Sequence, residues 1–177
     1  MSTGIQGPLR QMEERDLPLV FSWRNHPEVR RYMFNSAEIA WDEHAAWFAS
    51  ASRNAHKHLL VYELDGVLLG FISFSESAVG GVAEWGFHAA PEAPKGTGKC
   101  MLGLALNYGF TQLELHKVSA QVLQGNPRSL ALHRQLGFTE EGCLREQHGD
   151  GAGYQSVYCF GLLQREWWAA GGIGRKT

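Results

Sequence analysis

Apolar runs punctuated by turn residues fill the middle of this chain, and apolar positions at helical spacing flank them. His58–Leu64 and Val67–Ser75 are two such runs, joined by Asp65-Gly66, a pair that favours a two-residue hairpin. Gly80-Gly81 marks the next turn, and Val82–Ala89 reads as a third strand of the same meander. Ahead of them Pro8–Met12 reads as a strand, and Asp16 is placed to cap a short helix in which Leu17, Val20 and Phe21 share one buried face. Trp23–Phe34, dense in aromatic and guanidinium groups and broken by Pro27, reads as a helix end and an ordered loop. A second helix over about Trp41–Ser52 carries His44, Trp47 and Phe48 on nearly one side. After the meander come a glycine loop (Pro94–Lys99), a helix from Lys99, a strand (Lys117–Leu123) and a helix (Asn126–Leu136). Glu140–Gln147 and Tyr154–Leu163 read as two more strands around the turn His148-Gly149-Asp150-Gly151, and residues 169–177 as a disordered tail.

Composition narrows the function. The chain has 177 residues, 44% of them hydrophobic, enough for the core of a single domain. A formal net charge of −2 lacks the basic face of a nonspecific nucleic-acid binder. No apolar run approaches the roughly 20 residues of a membrane helix, and Met1–Ile5 lacks the features of a signal peptide, so a cytoplasmic protein is expected. Cys100, Cys143 and Cys159 show no Cys-x-x-Cys spacing, and the eight histidines form no ligand motif. Neither a disulfide framework nor a metal is expected.

The candidate chemistry begins at the glycine loop. Lys95-Gly96-Thr97-Gly98-Lys99 runs straight into a helix, and glycine lets backbone N–H groups turn toward an anion at the helix start. A Walker loop aligned on Gly98-Lys99 fails at Ala93 and Cys100, and a Rossmann fingerprint from Gly96 fails at Met101. What fits is Gly96-x-Gly98, followed by Asn126-Pro127-Arg128-Ser129 and then Gly137-Phe138. Asn126 is a good N-cap, Pro127 suits a first turn, and Gly137 stops the helix. Together these resemble the GCN5-related N-acetyltransferases, whose patterns are Arg/Gln-x-x-Gly-x-Gly/Ala and Asn-x-x-Ser/Ala-x-x-x-Tyr-x-x-x-Gly-Phe. Two places depart: Ala93 stands at the Arg/Gln and His133 at the tyrosine.

The resemblance covers about residues 8–168 and implies that superfamily's fold, a mixed, mostly antiparallel α/β (α+β) sheet flanked by helices. It implies acetyl-CoA as cosubstrate, held by Phe87, His88 and Ala89 of the central strand, by Lys95–Lys99 and by Asn126 and Ser129. It implies direct transfer from thioester to amine, with no role for Cys100 as a nucleophile. Trp23-Arg24-Asn25-His26-Pro27, Arg30–Phe34, His44 and Trp47-Phe48 further resemble the N-acetyltransferases of pseudaminic acid biosynthesis. That branch acetylates the 4-amino group of a UDP-linked amino-deoxy sugar on the way to flagellin modification, and it implies that Arg24, Asn25, Arg30, His44 and Trp47 bind the acceptor. The partner is then a small amine substrate, with no nucleic acid or membrane; the chain could form a homodimer.

An amine with a pKa of about 8 is largely protonated at neutral pH, so a base is needed. Glu84 is the candidate, on the face of the central strand shared with Gly86 and opposite Trp85 and Phe87. His133 is the candidate acid for the departing thiolate, by its motif position. Acetylation of a protein N-terminus or another small amine remains as the alternative enzyme, and a non-catalytic acyl-CoA-binding domain as the alternative without chemistry.

Overall fold

The computed structural model of the protein describes residues 8–172. Seven strands form one sheet in the order β1-β2-β3-β4-β5-β7-β6. They are β1 (Leu9–Gln11), β2 (Lys57–Leu64), β3 (Val67–Glu76), β4 (Val82–Ala89), β5 (Lys117–Leu123), β6 (Thr139–Gly149) and β7 (Tyr154–Leu163). All neighbours are antiparallel except β4 and β5. The mixed, mostly antiparallel sheet matches the expected fold. Asp65 and Gly66 both take positive φ, as the tight β2–β3 turn requires.

Two apolar cores lie against the sheet. In the larger, Ile72, Phe74, Ala83, Trp85, Val118 and Phe160 meet α4 (Thr97–Thr111) and α5 (Pro127–Gln135). In the smaller, Leu59, Val61 and Phe71 meet Leu17, Val20 and Trp23 of α1 (Leu17–Asn25) and Ala51 of α3 (Trp41–Ala51). Successive side chains of a strand point to opposite faces, so β4 divides its residues between the two sides. Ala83 and Trp85 belong to the first core, while Glu84 and Gly86 are exposed and His88 packs on Trp23 and Phe71.

Several expectations change. The glycine-loop helix begins at Thr97, two residues before Lys99, because Gly96 in the left-handed region (φ 93°) already serves as its N-cap. Pro27–Arg30 forms a one-turn α2 inside the expected loop. Strand β6 runs on to Gly149, so the turn falls at 150–153. A sixth helix, α6 (Gln164–Ala169), follows β7 directly and docks Trp167, whose Nε1–H donates to Asn107 Oδ1 (2.7 Å). Residues 169–172 thus close that helix, and the rest of the expected tail lies outside the described residues.

Asp16 does not cap α1. Its carboxylate is 2% exposed, takes two hydrogen bonds from Arg10 (2.8 and 2.9 Å) and accepts the Glu13 N–H (2.8 Å). Burial alone would raise its pKa, but the Arg10 and Glu13 hydrogen bonds outweigh that and hold it below the usual carboxylate value. A depressed folded-state pKa stabilises the fold above the unfolded value of about 4, and the contribution fades as pH falls through the folded value. Asp16→Asn should therefore cost about 3 kcal/mol in urea unfolding at pH 7, with a smaller difference from wild type at pH 3.

A splayed strand pair and its candidate active site

Strands β4 and β5 pair only at Val82↔Lys117, Ala83↔Val118 and Glu84↔Ser119, whereas β4 stays paired with β3 as far as Ala89. From Trp85 onward β4 therefore has one edge that pairs with no strand among the described residues. The opening is a V whose apex is the Glu84–Ser119 pair. Phe87, His88 and Ala89 lie along its free edge, where their N–H and C=O groups can pair with an extended ligand carrying amides.

The start of α4 is the second part of the site. Space beyond Gly96 is open, and a Cβ there would meet no atom of the described residues other than its chain neighbours within 4 Å. At Gly98 a Cβ would come to 3.6 Å from Leu132 of α5, an ordinary contact. The first-turn N–H groups of a helix have no intrahelical partner, so this cradle fits an anion. Lys95 and Lys99 beside it are exposed, with no ion pair among the described residues. Thr97 is turned inward instead: its N–H and Oγ1 both donate to Pro94 O (3.1 and 2.7 Å), which pins the loop. Asn126 spends its side-chain oxygen on the Ser129 N–H (3.1 Å), the N-cap of α5.

On the opposite face, Glu84 sits in a row of three across the sheet, with Ser75 of β3 and Ser119 of β5 as cross-strand neighbours. Ser73 lies opposite Gly86 in the next row. These residues line a groove of about 530 Å³ that also includes Glu76, Ser77 and Val82. The polar positions 73, 75 and 77 alternate with Ile72 and Phe74, a period-two signal that was readable in the chain but carried no motif.

Farther along the same face lie His88, Arg24 and His44. His44 is 4% exposed and stacks on Trp47 at 5.2 Å between ring centres. Burial lowers its pKa, and Arg24 adds to the effect against a hydrogen bond to Leu17. His88 falls to about 3 through burial, then through Arg24 and His44, so it is a neutral imidazole at neutral pH. One polar atom on each of four side chains, Arg24 Nη1, Arg30 Nε, His44 Nε2 and His88 Nδ1, is covered yet has no hydrogen-bond partner among the described residues. His88, expected to act through its backbone, thus also presents its ring to this cluster.

The segment between α2 and α3 crosses above. Asn25 clasps it with two bonds to Ile39, Nδ2–H to the carbonyl and Ile39 N–H to Oδ1, both 2.9 Å. Arg24 donates to Asn35 O (2.7 Å) and Arg30 to Ser36 O (3.3 Å). Asn25 is thus spent on holding this strap, while each arginine keeps a covered nitrogen free. At its tip Phe34 packs edge-on against His148 of β6 (5.4 Å). Arg31 lies over the Tyr32 ring at 4.6 Å, and these two line a hollow of about 280 Å³ with Leu123, Gly125 and Gln155. Arg31 and Tyr32 fall within the Arg30–Phe34 stretch that carried the resemblance, whereas His148 was expected only in a turn.

His133 departs from its expected setting. It is 1% exposed; its Nε2 accepts the Trp85 Nε1–H (3.1 Å), and its Nδ1–H donates to Ser129 O (2.8 Å). Burial lowers its pKa against the Ser129 hydrogen bond. Both ring nitrogens are thus engaged within the protein, and burial favours the neutral ring. Among the described residues no group of three metal-binding side chains occurs, and no helix is long and apolar enough to cross a membrane.

Comparison with known proteins bears on all of this. The acetyltransferase (GNAT) domain family matches residues 8–139. The chain is 30% identical over 162 residues to the spermidine N(1)-acetyltransferase of Vibrio cholerae, covering 90% of this chain and 94% of that one. It is 26% identical over 129 residues to the acetyltransferase PseH of Campylobacter jejuni, covering 73% and 80%. The crystal structure of the Vibrio cholerae spermidine N-acetyltransferase with CoA and spermine superposes with a TM-score of 0.84, at 28% identity over 90% of this chain and 96% of that one.

Proposed function

The chain belongs to the acetyltransferase (GNAT) domain family, and from that premise we propose that it acetylates the 4-amino group of a UDP-linked amino-deoxy sugar. It is an acetyl-CoA-dependent N-acetyltransferase. The observation that carries the sugar reading is the strap over the cleft. Arg24 and Arg30 each hold a covered nitrogen without a partner among the described residues, beside Arg31-Tyr32, Phe34 and the His44–Trp47 stack. Guanidinium groups match a diphosphate and aromatic faces match a uracil ring.

In this reading the free edge of Phe87–Ala89 holds the pantetheine arm of acetyl-CoA, and a backbone N–H near Phe87 or His88 steadies the carbonyl oxygen as charge develops on it. The Lys95–Lys99 loop takes the pyrophosphate, with Thr97 bracing the loop and Asn126 and Ser129 setting the start of α5 beside it. Glu84 removes the proton of the acceptor amine. It lies three residues before Phe87, so the proton travels through water in the serine-lined groove.

A second reading has its own support: the relatives named spermidine acetyltransferases match more of this chain. A polyamine carries several positive charges and would meet Arg24 and Arg30 at the strap, where repulsion disfavours it. Calorimetric titration with UDP separates the two. UDP should bind the wild type and bind Arg30→Ala at least tenfold more weakly, while acetyl-CoA affinity is equal in both. UDP that fails to bind, with spermidine binding in its place, would move the acceptor to the polyamine class.

A further inference from the structure

His133 stands at the place where the family usually carries a tyrosine, yet its ring lies inside the core and joins two walls of the cofactor cleft. We infer that His133 is a positioning residue that ties α5 to Trp85 and so sets the geometry of the free β4 edge. This rests on the reading of the splay as the acetyl-CoA cleft. Trp85 is the first residue of β4 beyond the last β4–β5 pair, Glu84↔Ser119, and so stands at the apex of the V. Its indole N–H donates to His133 Nε2, and His133 Nδ1–H donates to the Ser129 carbonyl one helical turn back. One ring therefore links the strand that leaves the sheet to the helix that begins at Asn126.

The surroundings leave the ring little freedom. His133 stacks on Phe160 at 5.2 Å and meets Phe138 edge-on at 5.0 Å, with Phe87 tilted against it at 5.7 Å. Phe87 is one of the cleft-edge residues, so the ring supports β4 at two successive side chains of one face, Trp85 and Phe87. The link also requires the neutral tautomer with its proton on Nδ1: a protonated Nε2 would point a donor at the Trp85 donor. Burial in this aromatic cage favours that state. A tyrosine is longer than the imidazole and has no second ring nitrogen for the Ser129 carbonyl, so it would crowd the cage and remove that carbonyl's side-chain donor.

The role predicts which kinetic constant moves. A general acid would lose kcat with acetyl-CoA affinity intact, whereas a residue that sets the cleft should lose affinity first. His133→Phe fills the space without either hydrogen bond and should raise the acetyl-CoA KM about tenfold or more, with kcat at saturation reduced less than about threefold. His133→Gln, whose carbonyl can still accept from the Trp85 N–H, should recover most of that affinity, while His133→Tyr should not. In the wild type, acetyl-CoA should shift the Trp85 indole N–H resonance, identified by its loss in Trp85→Phe. Thermal unfolding of each variant accompanies the kinetics, and His133→Gln serves as the folded reference if His133→Phe does not fold. A His133→Phe enzyme with lower kcat, unchanged acetyl-CoA KM and activity rescued by tyrosine would restore the acid role and overturn this one. A lower melting temperature with both constants unchanged would reduce the pair to packing and overturn it as well. A wild type that does not bind acetyl-CoA would remove the cleft reading itself.

Discussion

Glu84→Gln should lower kcat about a hundredfold to ten-thousandfold at neutral pH while the affinity for acetyl-CoA stays within a factor of two or so. The carboxylate is exposed and flanked by Ser75 and Ser119, so the amide replacement leaves packing undisturbed. Only the proton acceptor is lost. The deficit should shrink as pH rises past the amine pKa of about 8, because the acceptor then arrives already uncharged. Initial rates of Glu84→Gln and wild type from pH 6 to 10 measure this, and a constant or absent deficit would take Glu84 out of the chemistry.

The second large effect belongs to the glycine loop. Gly96→Val with Gly98→Val should weaken acetyl-CoA binding at least a hundredfold, an effect of the size expected when side chains bar backbone donors from phosphate oxygens. Gly96 sits at φ 93°, so its replacement also strains the backbone. Gly98→Val alone is the cleaner variant: the Cβ it adds meets Leu132 at ordinary contact distance, and no positive φ is involved. Calorimetry with acetyl-CoA on both variants should show a large loss for the pair and most of it in the single change. Wild-type affinity in both would remove the loop from the cofactor site.

What could be read from the chain were features written in neighbouring residues. Asp65-Gly66 announced its hairpin, Gly96-x-Gly98 a helix that starts two residues before the expected Lys99, and Asn126-Pro127 with Gly137 the limits of α5. The alternation of Glu84 and Gly86 against Trp85 and Phe87 gave the correct division of β4 between the two faces of the sheet. What stayed hidden depended on distant partners. Asp16 looked like a cap until Arg10 claimed its carboxylate, and Asn25 looked like a ligand until it closed on Ile39, 14 residues away. Helix α6 follows β7 with no breaker between them, and its Trp167 is held by Asn107, which no local pattern signals. His133 is the clearest case. Its motif position pointed to the cleft, but Trp85, 48 residues earlier, holds its Nε2 in the core.

The Arg24–His44–His88 cluster explains how a site can be polar yet only weakly charged. The two imidazoles are held neutral by burial and by the neighbouring guanidinium, so Arg24 supplies the positive charge while the rings supply hydrogen-bonding atoms. Such a set suits an acceptor with both an anionic group and hydroxyl or amide groups, as a nucleotide-linked amino sugar has.

The most direct test of the account is thiol release from acetyl-CoA, followed with a UDP-linked 4-amino-deoxy sugar, spermidine, ribosomal-protein N-terminal peptides and no acceptor. The account predicts rapid release with the nucleotide sugar, at a kcat/KM at least a hundred times that for spermidine or any peptide, and acetylation at the 4-amino nitrogen. Efficient turnover of spermidine or a peptide with none of the nucleotide sugar would contradict it.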